Sequence, residues 1–440
     1  MKTGTIIVWF RNDLRLHDNE VLTKAINNSQ NIIPIYCIDP RQFAISVLGT
    51  RKIGTFRAKF LLDSLADLRK SIHKLGGKLL VAFDEPGQVI AELVLKYQIK
   101  AVYAQKEIAK EETDVELAVE KVLWKKNIPL ELIWGNTLFH LDDIPFIIKE
   151  IPDIFTNFRK RAESESKVRN LFSVPKEIKV HDEIEENHLP DLRKLGLVSE
   201  CETIYKGGEQ HAIERLDHYF WKNNLIKSYK ETRNGLLGLD YSSKFSPWLA
   251  NGCISPRFIY HEIKKYEFER FENESTYWLV FELLWRDYFK FVFKKYGNKF
   301  FRPEGIKNQT SAQKDSNMIW FENWKTGKTG ETFVDANMRE LAQTGFMSNR
   351  GRQNVASYLV HDLHINWLCG AAYFEEMLLD YDVCSNYGNW AYLAGVGNDP
   401  RENRKFNIEK QARDYDPNGE FVKFWMPELR ERSKKALINA

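Results

Sequence analysis

The sequence predicts an α/β N-terminal domain with a doubly wound parallel sheet, followed by an all-α C-terminal domain. Over the first 135 residues short β-rich apolar runs alternate with helical periodicity, and from residue 205 onward the patterning is almost purely helical. A charged, proline-punctuated stretch separates the two. At 440 residues the chain also exceeds the size at which one hydrophobic core usually stops growing. The boundaries read 1–135 for the α/β domain, 136–204 for an interdomain connector and 205–440 for the helical domain.

The expected strands are Thr5–Phe10, Ile32–Ile38, Lys78–Phe83, Ala101–Ala104 and Leu130–Trp134. Between the second and third, Phe56, Phe60, Leu61, Leu65, Leu68 and Ile72 keep the spacing of one helix face, and Gly76-Gly77 ends it. Such alternation means a parallel sheet covered on both faces. The turn after the first strand reads RNDLRLHDN, where an NAD-type Rossmann site needs G-x-G-x-x-G, so no dinucleotide is expected at that turn. The connector keeps apolar residues among its charges and is read as ordered or semi-ordered. Helices are expected over Ala212–Trp221, Pro256–Lys265, Tyr277–Tyr296, Val334–Leu341 and Gly351–Leu363.

A net charge of +3 leaves nucleic-acid binding to a local patch. The five cysteines (37, 201, 253, 369 and 384) are odd in number and lack C-x-x-C spacing, which argues against a disulfide framework or a zinc knuckle. A reducing interior and a cytoplasmic location are expected. No apolar run approaches the roughly 20 residues that span a bilayer. His361 and His364 lie three apart on an expected helix without further ligands nearby, so no metal site is assigned. Gly327-Lys328-Thr329 is not a P-loop, because Glu322 stands where the leading glycine is needed.

Chemistry gathers in three segments. In Ser242–Arg257, hydroxyls and a lysine precede a Ser-Pro helix start, a source of donors for phosphate oxygens. FELLWRDYF spaces Glu282, Trp285 and Arg286 three and four apart, a carboxylate beside an aromatic platform. Between Thr326 and Glu428, Arg350, Arg352, Asp380, Asp382 and Asn386 mix with Trp367 and Trp390 inside a core-forming pattern. Charged side chains are rarely buried unless paired or facing a bound group, so a pocket for a large planar ligand with a polar edge is expected.

These motifs closely resemble the photolyase/cryptochrome family, specifically its DASH-type cryptochromes. The match runs through IVWFRNDLRLHDN, SYKETRNGLLGLDYSSKFSPWLANGCISPR, FELLWRDYF, VDANMREL, GFMSNRGRQNVASYL, DYDVCSNYGNWAYLAGVGNDPRENRKFN and a final PEL at Pro427–Leu429. The resemblance implies FAD within the helical domain and light-driven electron transfer that splits cyclobutane pyrimidine dimers. By position, Tyr229, Arg233 and Ser242, Ser243, Lys244, Phe245 and Ser246 would hold the ribityl and phosphate portion. Arg352 and Asp380 would sit beside the isoalloxazine, Asp382 at its polar edge and Asn386 near N5, with Arg286 also at the cofactor. Glu282, Trp285, Asn349, Arg350 and Tyr392 would line the lesion cavity.

Tyr392 and Gln353 stand where duplex-active photolyases carry Trp and Met, a combination of the DASH branch, which is associated with single-stranded or looped DNA. Of the three tryptophans that feed electrons to the flavin in this family, Trp390 and Trp367 match the proximal and middle ones. Lys314 falls at the third, where Trp320 or a nearby tyrosine is expected to substitute. Glu107 matches the carboxylate that binds an antenna folate, methenyltetrahydrofolate. A monomer is expected. The rival function is a signalling photoreceptor that binds FAD without efficient repair. Signalling cryptochromes tend to carry long C-terminal tails, whereas this sequence ends eleven residues after Leu429.

Overall fold

The computed structural model describes residues 4–46, 48–198, 203–308, 317–399 and 404–429. Among them, β1 (Thr5–Phe10), β2 (Asn31–Cys37), β3 (Leu80–Ala82), β4 (Ile99–Gln105) and β5 (Leu130–Ile133) form one parallel sheet in the order β3-β2-β1-β4-β5. Every residue of β1 is buried, because helices α1 (Glu20–Asn28), α2 (Thr55–Lys74), α3 (Pro86–Lys96) and α4 (Lys110–Trp124) cover the sheet. Successive side chains of a strand point to opposite faces. Ile7 and Trp9 therefore pack with Ile90 of α3 and Val119 and Leu123 of α4. Ile6, Val8 and Phe10 join Phe60, Leu65 and Leu68 of α2 in a different core. That second core continues without a break through Trp248, Leu284, Phe291, Trp324 and Trp390, so the helical part extends it instead of building its own.

The helical part comprises α5 (Phe155–Glu165), α6 (Glu209–Leu216), α7 (Tyr229–Thr232), α8 (Ser246–Ala250), α9 (Pro256–Glu269) and α10 (Glu274–Tyr296). It goes on through α11 (Met318–Lys325), α12 (Thr332–Thr344), α13 (Asn349–His361), α14 (Trp367–Met377), α15 (Val383–Leu393), α16 (Ile408–Tyr415) and α17 (Glu420–Trp425). The longest, α10, begins with a reciprocal cap: the Asn273 side chain accepts from Thr276 N at 3.0 Å and Thr276 Oγ1 accepts from Asn273 N at 3.3 Å. Ser348 caps α13 by accepting from Gly351 N at 2.9 Å. The two histidines do not share a helix face as expected: α13 ends at His361, and His364 has φ 52°, in the left-handed region.

The described part of the connector is built from short structured pieces. It contains α5, and its return leg lies along the sheet. Ile32 N donates to Lys179 O at 2.8 Å and His181 N to Ile32 O at 3.3 Å, so residues 179–181 complete the outer edge of β2 where the short β3 does not reach. At the front of the connector the Asp287 carboxylate of α10 accepts from Leu138 N and Phe139 N, each at 2.9 Å.

RNDLRLHDN is a latch onto the helical part. Asp18 receives Arg257 Nε and a guanidinium NH₂ at 2.9 and 2.8 Å, and this pair is almost wholly buried. Glu209 accepts from Leu16 N, His17 N and the His17 ring. At Gly252, φ is +69° and an added Cβ would lie 1.9 Å from Asn12 O, so the two loops approach backbone to backbone. No helix among the described residues is long and apolar enough to cross a membrane.

Candidate functional site

The loop Ser242–Ser246 turns into the short α8 with Lys244 at φ 59°. Arg215 fixes it from outside, donating to the carbonyls of Ser242 and Ser243 at 2.9 and 3.0 Å and to Asp240 at 2.7 Å. Lys244 is buried, with its ammonium 3.4 Å from the ring centre of Tyr241 and 4.5 Å from that of Phe346. Burial lowers the Lys244 pKa and raises that of Glu340, its buried acidic neighbour on α12. Beside them Arg352 grips both oxygens of Asp380 at 3.0 and 2.8 Å and the Met347 carbonyl at 2.9 Å.

Buried polar atoms without a protein partner gather in this knot: Tyr205 Oη, Tyr241 Oη and Glu340 Oε2. Tyr205 and Tyr241 are electrostatic neighbours of Glu340 and of each other. Buried polar groups normally have partners, so the cluster fits an extended ligand with polar edges such as a dinucleotide.

Asp382 caps α15, accepting from Ser385 N at 2.8 Å, and receives Lys290 Nζ of α10 at 2.8 Å. Burial pushes its carboxyl up, but Lys290 and Arg286 outweigh this and hold it well below the usual carboxylate range. One turn on, Asn386 is buried and donates to Ala371 O at 3.0 Å, which fixes the amide's orientation. Arg286 diverges from its neighbours on α10. It donates to the carbonyl and side chain of Asn136 at 2.6 and 2.5 Å and to Leu249 O at 3.1 Å, tying the connector to α8.

A rim forms where α7, α10, α13 and α16 meet. Glu282 pairs with Arg233; burial raises the Glu282 carboxyl and Arg233 opposes the rise. Tyr229 is buried at the start of α7. Next to Arg233, the Asn234 amide oxygen accepts from Arg350 at 3.1 Å, and Arg350 also reaches Gln353 at 3.0 Å and lies 4.4 Å over the ring of Tyr415. Asn349 is exposed at the first turn of α13. Trp285 stacks on Phe155 at 3.7 Å and meets Tyr392 edge-on at 6.2 Å and 85°. Arg404 holds the Tyr392 hydroxyl at 2.8 Å.

Trp390 is buried, with its ring centre 6.2 Å from that of Trp324, at 71°, and 5.1 Å from that of Phe374. Trp367 donates to Pro303 O at 3.1 Å and meets Tyr387 at 6.3 Å. Trp320 is 44 % exposed at the start of α11, one turn before Trp324; Lys314 lies outside the described residues.

A cleft of about 760 Å³ opens between the α/β and helical parts, and its lining includes Trp9, Arg11, Glu107, Lys290, Tyr381 and Asp382. Glu107 is buried in this wall, not solvated as a glutamate after a strand usually is, and accepts from Asn12 at 3.2 Å and Gln105 at 3.1 Å. Glu107 and Asp382 thus share one cavity. Sequence reasoning missed Lys290, Glu340, Trp324, Asn234, Tyr415 and Arg404. A lysine inside the apolar run DYFKFVF was a readable signal for the first.

A model for the FAD binding domain of DNA photolyase matches residues 278–440, and one for DNA photolyase matches residues 6–178. The chain is 50% identical over 436 residues to a cryptochrome DASH of Gloeobacter violaceus, covering 98% of this chain and 87% of that one. The solved structure of a Synechocystis cryptochrome superposes with a TM-score of 0.94 at 48% identity, covering 98% and 90% of the two chains. A class III photolyase of Agrobacterium tumefaciens superposes with a TM-score of 0.84 at 26% identity over 98% and 88%. With a FAD-binding helical domain on a parallel-sheet domain, and half of its residues shared along nearly its whole length, the chain belongs to the photolyase/cryptochrome family, among the DASH cryptochromes.

Proposed function

We propose that the protein is a FAD-dependent photolyase that splits cyclobutane pyrimidine dimers under blue light, with preference for dimers in single-stranded or looped DNA. The observation that carries the reading is the rim: Trp285 and Tyr392 stand edge to face at 6.2 Å, and Glu282 lies on the same helix as Trp285, one turn before it. Two aromatic walls clamp a pair of linked bases, and the half-buried carboxyl hydrogen-bonds their polar edge. Burial raises the Glu282 carboxyl, which suits it to donate a proton toward a base carbonyl on which negative charge develops. Arg350 and Asn349 are assigned by family position to the lining of the same cavity.

FAD fits the interior as assigned by family position, with Tyr229, Arg233 and Ser242–Ser246 at its phosphate and ribityl portion. Arg352, Asp380, Asp382, Arg286 and Asn386 are assigned to its ring system. When bound and reduced, it supplies the photoexcited electron. The Arg352 guanidinium favours negative charge on that ring system, and the Asn386 amide, fixed by Ala371 O, presents no strong acid to it. The interdomain cleft with Glu107 in its wall supports methenyltetrahydrofolate as antenna. We further place the protein as a monomer in the cytoplasm.

Tyr392 and Gln353 make the platform smaller and its wall more polar than Trp and Met would. Flipping a dimer out of duplex costs a few kcal/mol of stacking and pairing, and a weaker platform offsets less of that cost. The test measures dimer splitting under blue light by the reduced protein on matched single-stranded, looped and fully paired oligonucleotides at one salt concentration. Efficient splitting of the first two and poor splitting of the third is expected. No splitting on any would overturn the repair reading, and equal splitting on all three would overturn the substrate preference alone.

A further inference from the structure

Helix α10 carries aromatics beyond the rim. Trp278 precedes Glu282 by four residues and Trp285 by seven, so the three share one helix face. Phe281 packs on Trp278 at 4.5 Å and on Phe155 of α5 at 5.2 Å, and Phe155 stacks on Trp285. With Tyr392 edge-on to Trp285, the aromatics run as an unbroken row from the outer surface of α10 to the rim.

Cations are interleaved along it. Lys230 and Arg233 lie 5.6 and 4.9 Å from the ring centre of Trp278, Arg159 lies 5.6 Å from that of Phe281, and Arg404 lies 4.6 Å from that of Tyr392. Trp278 and Phe281 are only half-buried, so neither is a closed core residue. Lys230 pairs with Glu274, whose side chain is 66% exposed, and Arg159 pairs with Glu163. The Lys230 pair is exposed and holds weakly, so Lys230 is free to turn to phosphate, whereas Arg159 stays in its part-buried pair. A half-open indole between two cations is the chemistry that binds an unpaired base and its backbone. A duplex base, stacked on both faces, offers it nothing.

We propose that this row is a track for the single strand flanking the dimer, with Trp278 stacking on an unpaired base and Lys230 holding the adjoining phosphate. The inference rests on the repair reading above. Trp278 lies about 10 Å along the helix axis from Trp285, which places its partner at a neighbouring nucleotide and not at the dimer itself.

Fluorescence anisotropy tests it. The probes are short single strands carrying little beyond the dimer, and the same strands extended by undamaged thymidylates on one side or the other. Extension on one side is expected to tighten binding to the wild type. Trp278→Ala should lose most of that gain, on the order of tenfold, while binding the short dimer strand as the wild type does. Lys230→Gln, a surface change that leaves the aromatic row intact, should make the fall of log K with log salt shallower by ~0.7. Trp278→Ala binding the extended strand as tightly as the wild type, with an unchanged salt slope in Lys230→Gln, would overturn the track while leaving the repair reading standing. Failure of the wild type to bind the short dimer strand would overturn both.

Discussion

Lys290 and Asp382 form a buried ion pair at 2.8 Å, side chains 3% and 12% exposed, in the wall shared by the cleft and the α15 N-terminus. Breaking a buried pair from one side leaves a charge without compensation and costs about 3–5 kcal/mol. Lys290→Met should lose roughly that much in urea unfolding, and adding Asp382→Asn should restore most of it. Two equal and additive losses would mean that the pair is not coupled. Asp287 responds to pH in the opposite sense to Asp382. Burial outweighs its two backbone bonds and pushes its carboxyl from 3.8 up to about 7, so the native state keeps a proton that the unfolded chain has released. Its stabilising contribution is complete below pH ~4 and is lost as pH rises to about 7. In Asp287→Asn the stability–pH curve should flatten across that window. An unchanged slope would place the titration elsewhere.

Between elements, two close approaches set what moves together. Gly252→Ala forces a Cβ against Asn12 O and a left-handed φ on alanine, so the latch between the α/β and helical parts should loosen. A loss of a few kcal/mol and faster proteolysis near residues 11–18 are expected; an unaltered melting curve would show that the loops separate at no cost. On α15, Trp390→Phe should abolish photoreduction of the bound flavin yet spare dimer splitting by chemically reduced protein. Because Trp324 lies against Trp390 within the core, Trp324→Phe belongs in the same experiment as Trp320→Phe. Loss of both activities together in Trp390→Phe would refute a separate electron supply. Glu282 and Trp285 were legible in the sequence because both sit on one helix, where spacing fixes the face. Lys290, Glu340 and Trp324 were not, because their partners Asp382, Lys244 and Trp390 come from segments distant in sequence and only packing brings them together. Strand positions were legible for the same local reason, each run being both apolar and bounded by turn residues. The span of His361 and His364 misled, since nothing in the residue types announces the left-handed turn at His364.

Across the whole molecule, one apolar core runs from β1 through α2 into the helical bundle, so a single cooperative unfolding transition is expected. That continuity could not be read from the sequence, because periodicity marks the buried face of each element without saying which element covers it. The return leg of the connector acts at the same scale. β3 is an edge strand of three residues, and its outer side meets Asn187, whose side-chain oxygen accepts from Val81 N at 3.2 Å while its amide donates to Val81 O. The amide thus satisfies the two backbone groups that a neighbouring strand would otherwise bind. A bare parallel edge invites another copy of the chain to add its own strand, the first step of fibril growth. This one is occupied from within by a single residue, which leaves no template. Asn187→Leu should therefore keep the fold at low concentration but shorten its life in storage, with light scattering rising steeply as protein concentration increases.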